Sequence, residues 1–143
     1  MMTAQTIEKM DQARFNAWLV QTIGFALFLG ILIFHFITGN QSTFLIAAEI
    51  VGVLIFLVGV FWKMIVFRKI QRDHQVRDAL YNELYVQYGY KTYIWGFWAF
   101  LFGLLILNYA ALPLGLTAQN VCLIGIYLGV MTQQIATLVY YRK

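Results

Sequence analysis

Four long apolar blocks divide the chain, covering about residues 18–37, 43–65, 93–111 and 118–140. At about 1.5 Å per residue, each can carry an α-helix across a hydrocarbon core about 30 Å thick. None alternates with period two, and four short strands could not close a barrel in a membrane. A short polar turn, Thr38-Gly39-Asn40-Gln41-Ser42, joins the first two blocks. A second turn, at about residues 112–117, holds the single proline, Pro113, and joins the last two. Turns this short require antiparallel neighbours.

The connection between the two pairs, about residues 68–91, is longer and charged. Its Ile70, Val76, Leu80 and Leu84 recur at helical spacing, and Asp73 and Arg77 stand four apart as a supportive pair. The pattern predicts a helical extension outside the bilayer that leads into the third block. The expected fold is all-α and polytopic: one transmembrane domain over residues 1–143, built as two antiparallel hairpins.

Composition agrees. Hydrophobic residues make up 62% of the chain and charged residues 11%, against about 25% charged in a soluble domain. Too few charges remain to cover a globule in water. The single cysteine, Cys122, lies inside an apolar block and cannot form an internal disulfide. The first fourteen residues are polar, and the block that follows is too long for a signal-peptide core, so it is expected to stay as a helix.

The distribution of charge predicts orientation. The ten basic residues are Lys9, Arg14, Lys63, Arg68, Lys69, Arg72, Arg77, Lys91, Arg142 and Lys143. All fall in the N-terminal segment, around the central connection or at the C-terminus, and both short turns carry no charge. The positive-inside rule then places both termini in the cytoplasm. Trp18, Trp62, Tyr88, Tyr90, Tyr93, Trp95, Tyr140 and Tyr141 form an aromatic belt at the same boundary. The basic set Lys63, Arg68, Lys69, Arg72, Arg77, Lys91, Arg142 and Lys143 suits anionic lipid headgroups rather than nucleic acid. Lys63 is expected to snorkel to the interface. A bacterial inner membrane is the simplest location.

The two halves echo one another. Residues 26–33 align with residues 99–106, matching Gly30 to Gly103, and Val51-Gly52-Val53 aligns with Leu128-Gly129-Val130. The alignment reads as a duplicated hairpin, its halves related by an axis along the membrane normal. Ala48 and Gly52, and correspondingly Gly125 and Gly129, form small-xxx-small pairs that let helices approach closely in lipid. They serve either internal packing of the second and fourth spans or an interface with a partner or second copy.

Arg77-Asp78 and Asn82-Glu83 precede the third span, and Tyr140-Tyr141-Arg142-Lys143 ends the chain. In these features the segment from Arg72 to Lys143 resembles a loose group of uncharacterised small bacterial membrane proteins built from transmembrane hairpins. Their fuller pattern is an Arg-Asp-Glu-Arg-like segment before a hairpin with a Tyr-Tyr-Arg-Arg-like tail, and the acidic segment here departs from it. The resemblance implies the hairpin topology and no activity.

Glu49 is the one ionisable residue well inside a span, about six residues into the second block and roughly 9 Å below its boundary. Such a carboxylate costs several kcal/mol unless protonated or paired. His35, near the end of the first block, is its expected partner, and Asn108 and Tyr109 near the end of the third are expected to join them. The cluster is either a hydrogen-bonded clamp between helices or a proton- or cation-linked site. Thr132, Gln133 and Gln134 interrupt the fourth block and are expected to bond between helices. His35 and His74 fall on opposite sides of the membrane, and no zinc spacing, phosphate-binding loop, dinucleotide fingerprint or nucleophile elbow occurs, so no metal or cofactor is expected.

Three functions fit. The first is a non-enzymatic accessory or interaction subunit, packing through its helices against itself or a larger membrane partner. The second is a small proton- or cation-coupled transporter using Glu49. It is similar in span number to the small multidrug exporters but differs in its decisive charge bias and in carrying its glutamate in the second span. The third, a membrane enzyme, lacks paired catalytic groups.

Overall fold

The computed structural model describes residues 4–39, 42–81 and 83–141. It contains five helices: α1 (Ala4–Thr38), α2 (Thr43–Arg72), α3 (His74–Leu80), α4 (Glu83–Leu114) and α5 (Ala118–Tyr141). Four of them, α1, α2, α4 and α5, are long and apolar enough to cross a bilayer. Their surfaces carry large apolar side chains: Leu112 is 92% exposed, Phe44 79% and Ile106 68%. Water would not tolerate that surface, and lipid requires it. The chain is an all-α, four-span integral membrane protein.

α1 runs well ahead of the apolar block that announced it, because its polar N-terminal part has an apolar partner. Val66 and Ile70 at the end of α2 form a buried cluster with Val76 and Leu80 of α3, and Ile7, Met10, Ala13 and Tyr81 pack against it. Ile7, Met10 and Ala13 share one helical face. Packing of that face, more than propensity, holds such an extension helical.

The connection between hairpins is helical, as its spacing predicts, but it is interrupted. Asp73 breaks it. Its extended backbone ends α2 and its side chain caps α3, accepting from the Gln75 and Val76 amides at 3.0 and 3.2 Å. An N-cap satisfies amides that a helix start leaves unpaired. With Asp73 so engaged, the Nε of Arg77 donates to Asp78 at 3.2 Å instead of pairing four residues back.

Both hairpin turns use one device. Gly39 and Gly115 have φ of 64° and 63°, the left-handed region that glycine enters without steric cost. The Gly39 amide donates to the His35 carbonyl, and the Gly115 and Leu116 amides donate to the carbonyls of Leu112 and Ala111, closing each helix C-terminus. Ser42 then caps α2 by accepting from Leu45, and Thr117 caps α5 by accepting from Asn120. Pro113 sits in the last turn of α4.

α1 packs along α2, α4 along α5, and the hairpins meet where α1 meets α5. α4 makes no comparable contact with α1 or α2, nor α2 with α5. The order across the membrane is therefore α2, α1, α5, α4, a row rather than a closed bundle. Trp18 of α1 meets Tyr141 of α5 with ring centroids 6.3 Å apart. The N-terminal part of α1 and the C-terminal end of α5 thus share one end of the row, and α3 lies there too through its contacts with α1 and α2.

The first hairpin closes backbone on backbone. A β-carbon at Gly24 would fall on the backbone nitrogen of Phe56, one at Gly52 would lie 2.7 Å from the Phe28 nitrogen, and one at Gly59 2.5 Å from that of Gln21. In the second hairpin the corresponding atoms at Gly125 and Gly129 would lie 2.6 Å from Leu104 Cδ2 and 2.8 Å from Phe100 Cβ. Gly103 meets Leu128 Cδ1 at 3.0 Å, whereas Gly30 has ordinary room, its nearest neighbour being the Tyr127 hydroxyl at 3.8 Å. Ala48 is half-buried. Gly52 packs on α1 and Gly129 on α4, so these two glycines serve packing inside the hairpins.

The repeat survives with a shifted register. Gly52 packs on Phe28 and Gly129 on Phe100, while Gly24 meets Phe56 and Gly96 meets Gln133. Gly24 therefore corresponds to Gly96 and Phe28 to Phe100, one residue from the alignment that matched Gly30 to Gly103. The α2-to-α5 correspondence, Gly52 to Gly129, stands unchanged.

Asn120, Tyr127, Gln134 and Tyr141 recur every seven residues along α5, and two of them touch α1: Tyr127 stacks on Phe25 at 6.5 Å and Tyr141 meets Trp18. Gln134 lies on the same stripe, 4% exposed, with no hydrogen-bond partner for its side-chain oxygen. A buried acceptor left unpaired is unfavourable by about 1–3 kcal/mol. Gln134→Leu is accordingly expected to raise stability by about 1 kcal/mol, read as a higher melting temperature in detergent; a lower one would show that the amide is satisfied.

Candidate functional site

The structure brings His35 and Glu49 together across α1 and α2. His35 lies in the last turn of α1 and Glu49 in the second turn of α2, so the tight turn between the helices sets them side by side. The Nδ1 of His35 is 3.8 Å from the Glu49 Oε2, with both side chains about a quarter exposed (24% and 22%). That distance allows an ion pair when the imidazole is protonated but is too long for a hydrogen bond. The pair lines an open groove of about 250 Å³ with Leu32, Phe36 and Gly39.

Asn108 and Tyr109 do not join them. Both sit on α4, whose packing partner is α5, and both are exposed, Tyr109 to 82%. The row keeps the polar groups at the turn ends of the two hairpins apart, where a closed bundle would have gathered them.

A second polar group occupies the opposite end of the row. Lys63 points inward: its Nζ lies 3.7 Å from the centre of the Trp18 ring and 3.4 Å from the Gln21 Oε1. The interaction with the ring face is electrostatic, a cation on a π quadrupole. Arg14, 7% exposed, pairs with Asp11 and lies over Tyr141 at 4.9 Å. Arg14, Trp18, Lys63, Tyr81 and Tyr141 line a cavity of about 130 Å³ closed by Val66, Phe67 and Ile70. Burial pushes the Tyr81 phenol up, and the nearby Arg14 guanidinium opposes the shift. The alternation of cations and rings ties α1, α2 and α5 together at this end.

The remaining basic residues divide by environment. Arg68, Lys69, Arg72 and Lys91 are exposed, and Arg77 is half-buried beside Asp78. Arg142 and Lys143 lie outside the described residues. Tyr88 and Tyr140 stack at 5.1 Å between α4 and α5, so part of the belt packs internally. Gln133 packs its β-carbon against Gly96.

Sequence reasoning missed the inward turn of Arg14 and Lys63, and the close approaches at Gly24, Gly59 and Gly96. A seven-residue spacing carried the glycine signal: Gly52 with Gly59, and Gly96 with Gly103. Comparison of the chain with protein-family models, with curated proteins and with solved structures gave no match.

Proposed function

We propose that this integral membrane protein is non-enzymatic, an accessory or interaction subunit that works through its helix surfaces. The row of helices carries the reading. A pathway for ions or solutes needs walls on every side, and a single row presents its helices to their surroundings instead. α4 in particular contacts α5 along one side and leaves Ile94, Phe97, Trp98 and Phe102 about half exposed. The charge distribution supports both termini in the cytoplasm, with a bacterial inner membrane as the simplest location, and there exposed Arg68, Lys69, Arg72 and Lys91 meet anionic headgroups.

Purification from native membranes tests the reading. A stoichiometric protein associate, whether another protein or the same chain, is expected; a monomer surrounded by lipid alone would overturn it. The alternative, proton- or cation-coupled transport, is favoured by one observation, the His35–Glu49 pair beside an open groove. Under the proposal, wild type and Glu49→Gln reconstituted in vesicles show the same background proton flux. A flux carried by wild type and lost in Glu49→Gln would transfer the assignment to transport.

A further inference from the structure

Resting on that reading, we infer that the partner is a second copy of this chain, whose α2 seats on the outer face of α4. The two hairpins present quasi-equivalent faces. The contact between the hairpins joins unlike faces, α1 of the first to α5 of the second. The register fixed by Gly24 with Gly96 and by Gly52 with Gly129 carries each of these faces onto the other hairpin. The α1 face that receives α5 becomes a face of α4, and the α5 face that meets α1 becomes a face of α2. Among the described residues, no other helix of the chain covers either face.

Particular residues correspond. Phe25 stacks on Tyr127 within the chain, and their counterparts are Phe97 and Ile50. Trp18 meets Tyr141, and their counterparts are Tyr90 and Met64. All four counterparts are large and exposed: Phe97 57%, Ile50 56%, Tyr90 71% and Met64 47%. An apolar groove of about 300 Å³ lies beside Phe97, between α4 and α5, and Phe97 is the counterpart of the Phe25 ring on which Tyr127 stacks. Tyr127 corresponds to Ile50, which borders a smaller recess of about 250 Å³ on α2 that Glu49 also lines.

A contact between unlike faces repeats head to tail, and closes into a ring or continues as an array. The same interface that joins the two hairpins would then join successive chains. Small differences favour this assignment over a symmetric dimer: α4 and α2 present different residues, and no face here is self-complementary by the internal repeat.

The test is cross-linking in membranes, in a Cys122→Ser background because Cys122 is exposed. Phe97→Cys and Ile50→Cys are made in separate, differently tagged chains and co-expressed. Oxidation is expected to join the two tags for most of the protein, with neither variant dimerising with itself. The double variant in one chain is expected to give a ladder of multimers. A control pairing Ile50→Cys with Ile106→Cys, on another face of α4, should stay monomeric. The mass of the unmodified protein in lipid discs supplies a measurement free of substitutions, with more than one chain per particle expected. Cross-links of Phe97→Cys to itself would overturn head-to-tail packing. Cross-links to a different protein would overturn self-assembly and leave the accessory reading standing. Monomer alone, in discs and after oxidation, would remove both.

Discussion

Gly24→Ala is expected to keep α1 and α2 from packing, at a cost of about 3 kcal/mol. The added carbon would fall on the Phe56 backbone, which has no rotamer to escape into, so one of the two helices must move. In lipid no hydrophobic force pulls helices together, and close backbone packing supplies the attraction that is lost. Each helix should remain inserted while the hairpin loosens. Unfolding by denaturing detergent, followed by far-ultraviolet dichroism and by protease access to the Gly39 turn, checks this. Gly30→Ala is the comparison, because its nearest neighbour stands 3.8 Å away, and it should unfold like wild type. Equal stability of the two variants would mean that the hairpin is not closed at Gly24.

Ile70→Ala is expected to free α3. Ile70 is fully buried, as is Val76, and α3 is seven residues long, too short to hold itself helical in water. Its order derives from the cluster of Val66, Ile70, Val76 and Leu80. Truncating the central isoleucine removes about 3 kcal/mol, close to a hundredfold in the opening equilibrium. Amide exchange across His74–Leu80 should rise by about that factor, with the transmembrane amides unaffected. Unchanged exchange there would show that the Asp73 cap holds α3 without the cluster.

The four spans and their hairpin pairing could be read from the chain because a bilayer imposes length and hydropathy so strictly. Glu49 and His35 could be read for the same reason: a five-residue turn leaves them no choice but to be neighbours. Other features depend on tertiary context. The N-terminal extension of α1 is helical because Ile7, Met10 and Ala13 meet a cluster built from α2 and α3, which no local pattern announces. Asp73 satisfies a helix pair equally well as a cap, and burial of Val76 and Leu80 decides for the cap.

The misplaced repeat register has a similar origin. Apolar residues substitute freely for one another in lipid, so matching letters such as Gly30 and Gly103 need not mark matching faces. Backbone contact, at Gly24 and Gly96, does mark them. The separation of Asn108 and Tyr109 from Glu49 follows from a row arrangement, and two hairpins of this composition could equally have closed into a square. The sequence predicts that Lys63 snorkels to water; the ring of Trp18 offers it a face instead, as the ring of Tyr141 does for Arg14.

The caps at the two hairpin turns bear on biogenesis. Gly39, Ser42, Gly115 and Thr117 engage backbone groups that would otherwise be bare at the helix ends, and neither turn contains an ionisable side chain. Under the proposed orientation the capped tips are what crosses, and they bring no charge of their own into oil, the His35–Glu49 pair of the first hairpin lying just behind its tip. Placing a single lysine in either tip should slow that passage far more than it disturbs the finished molecule.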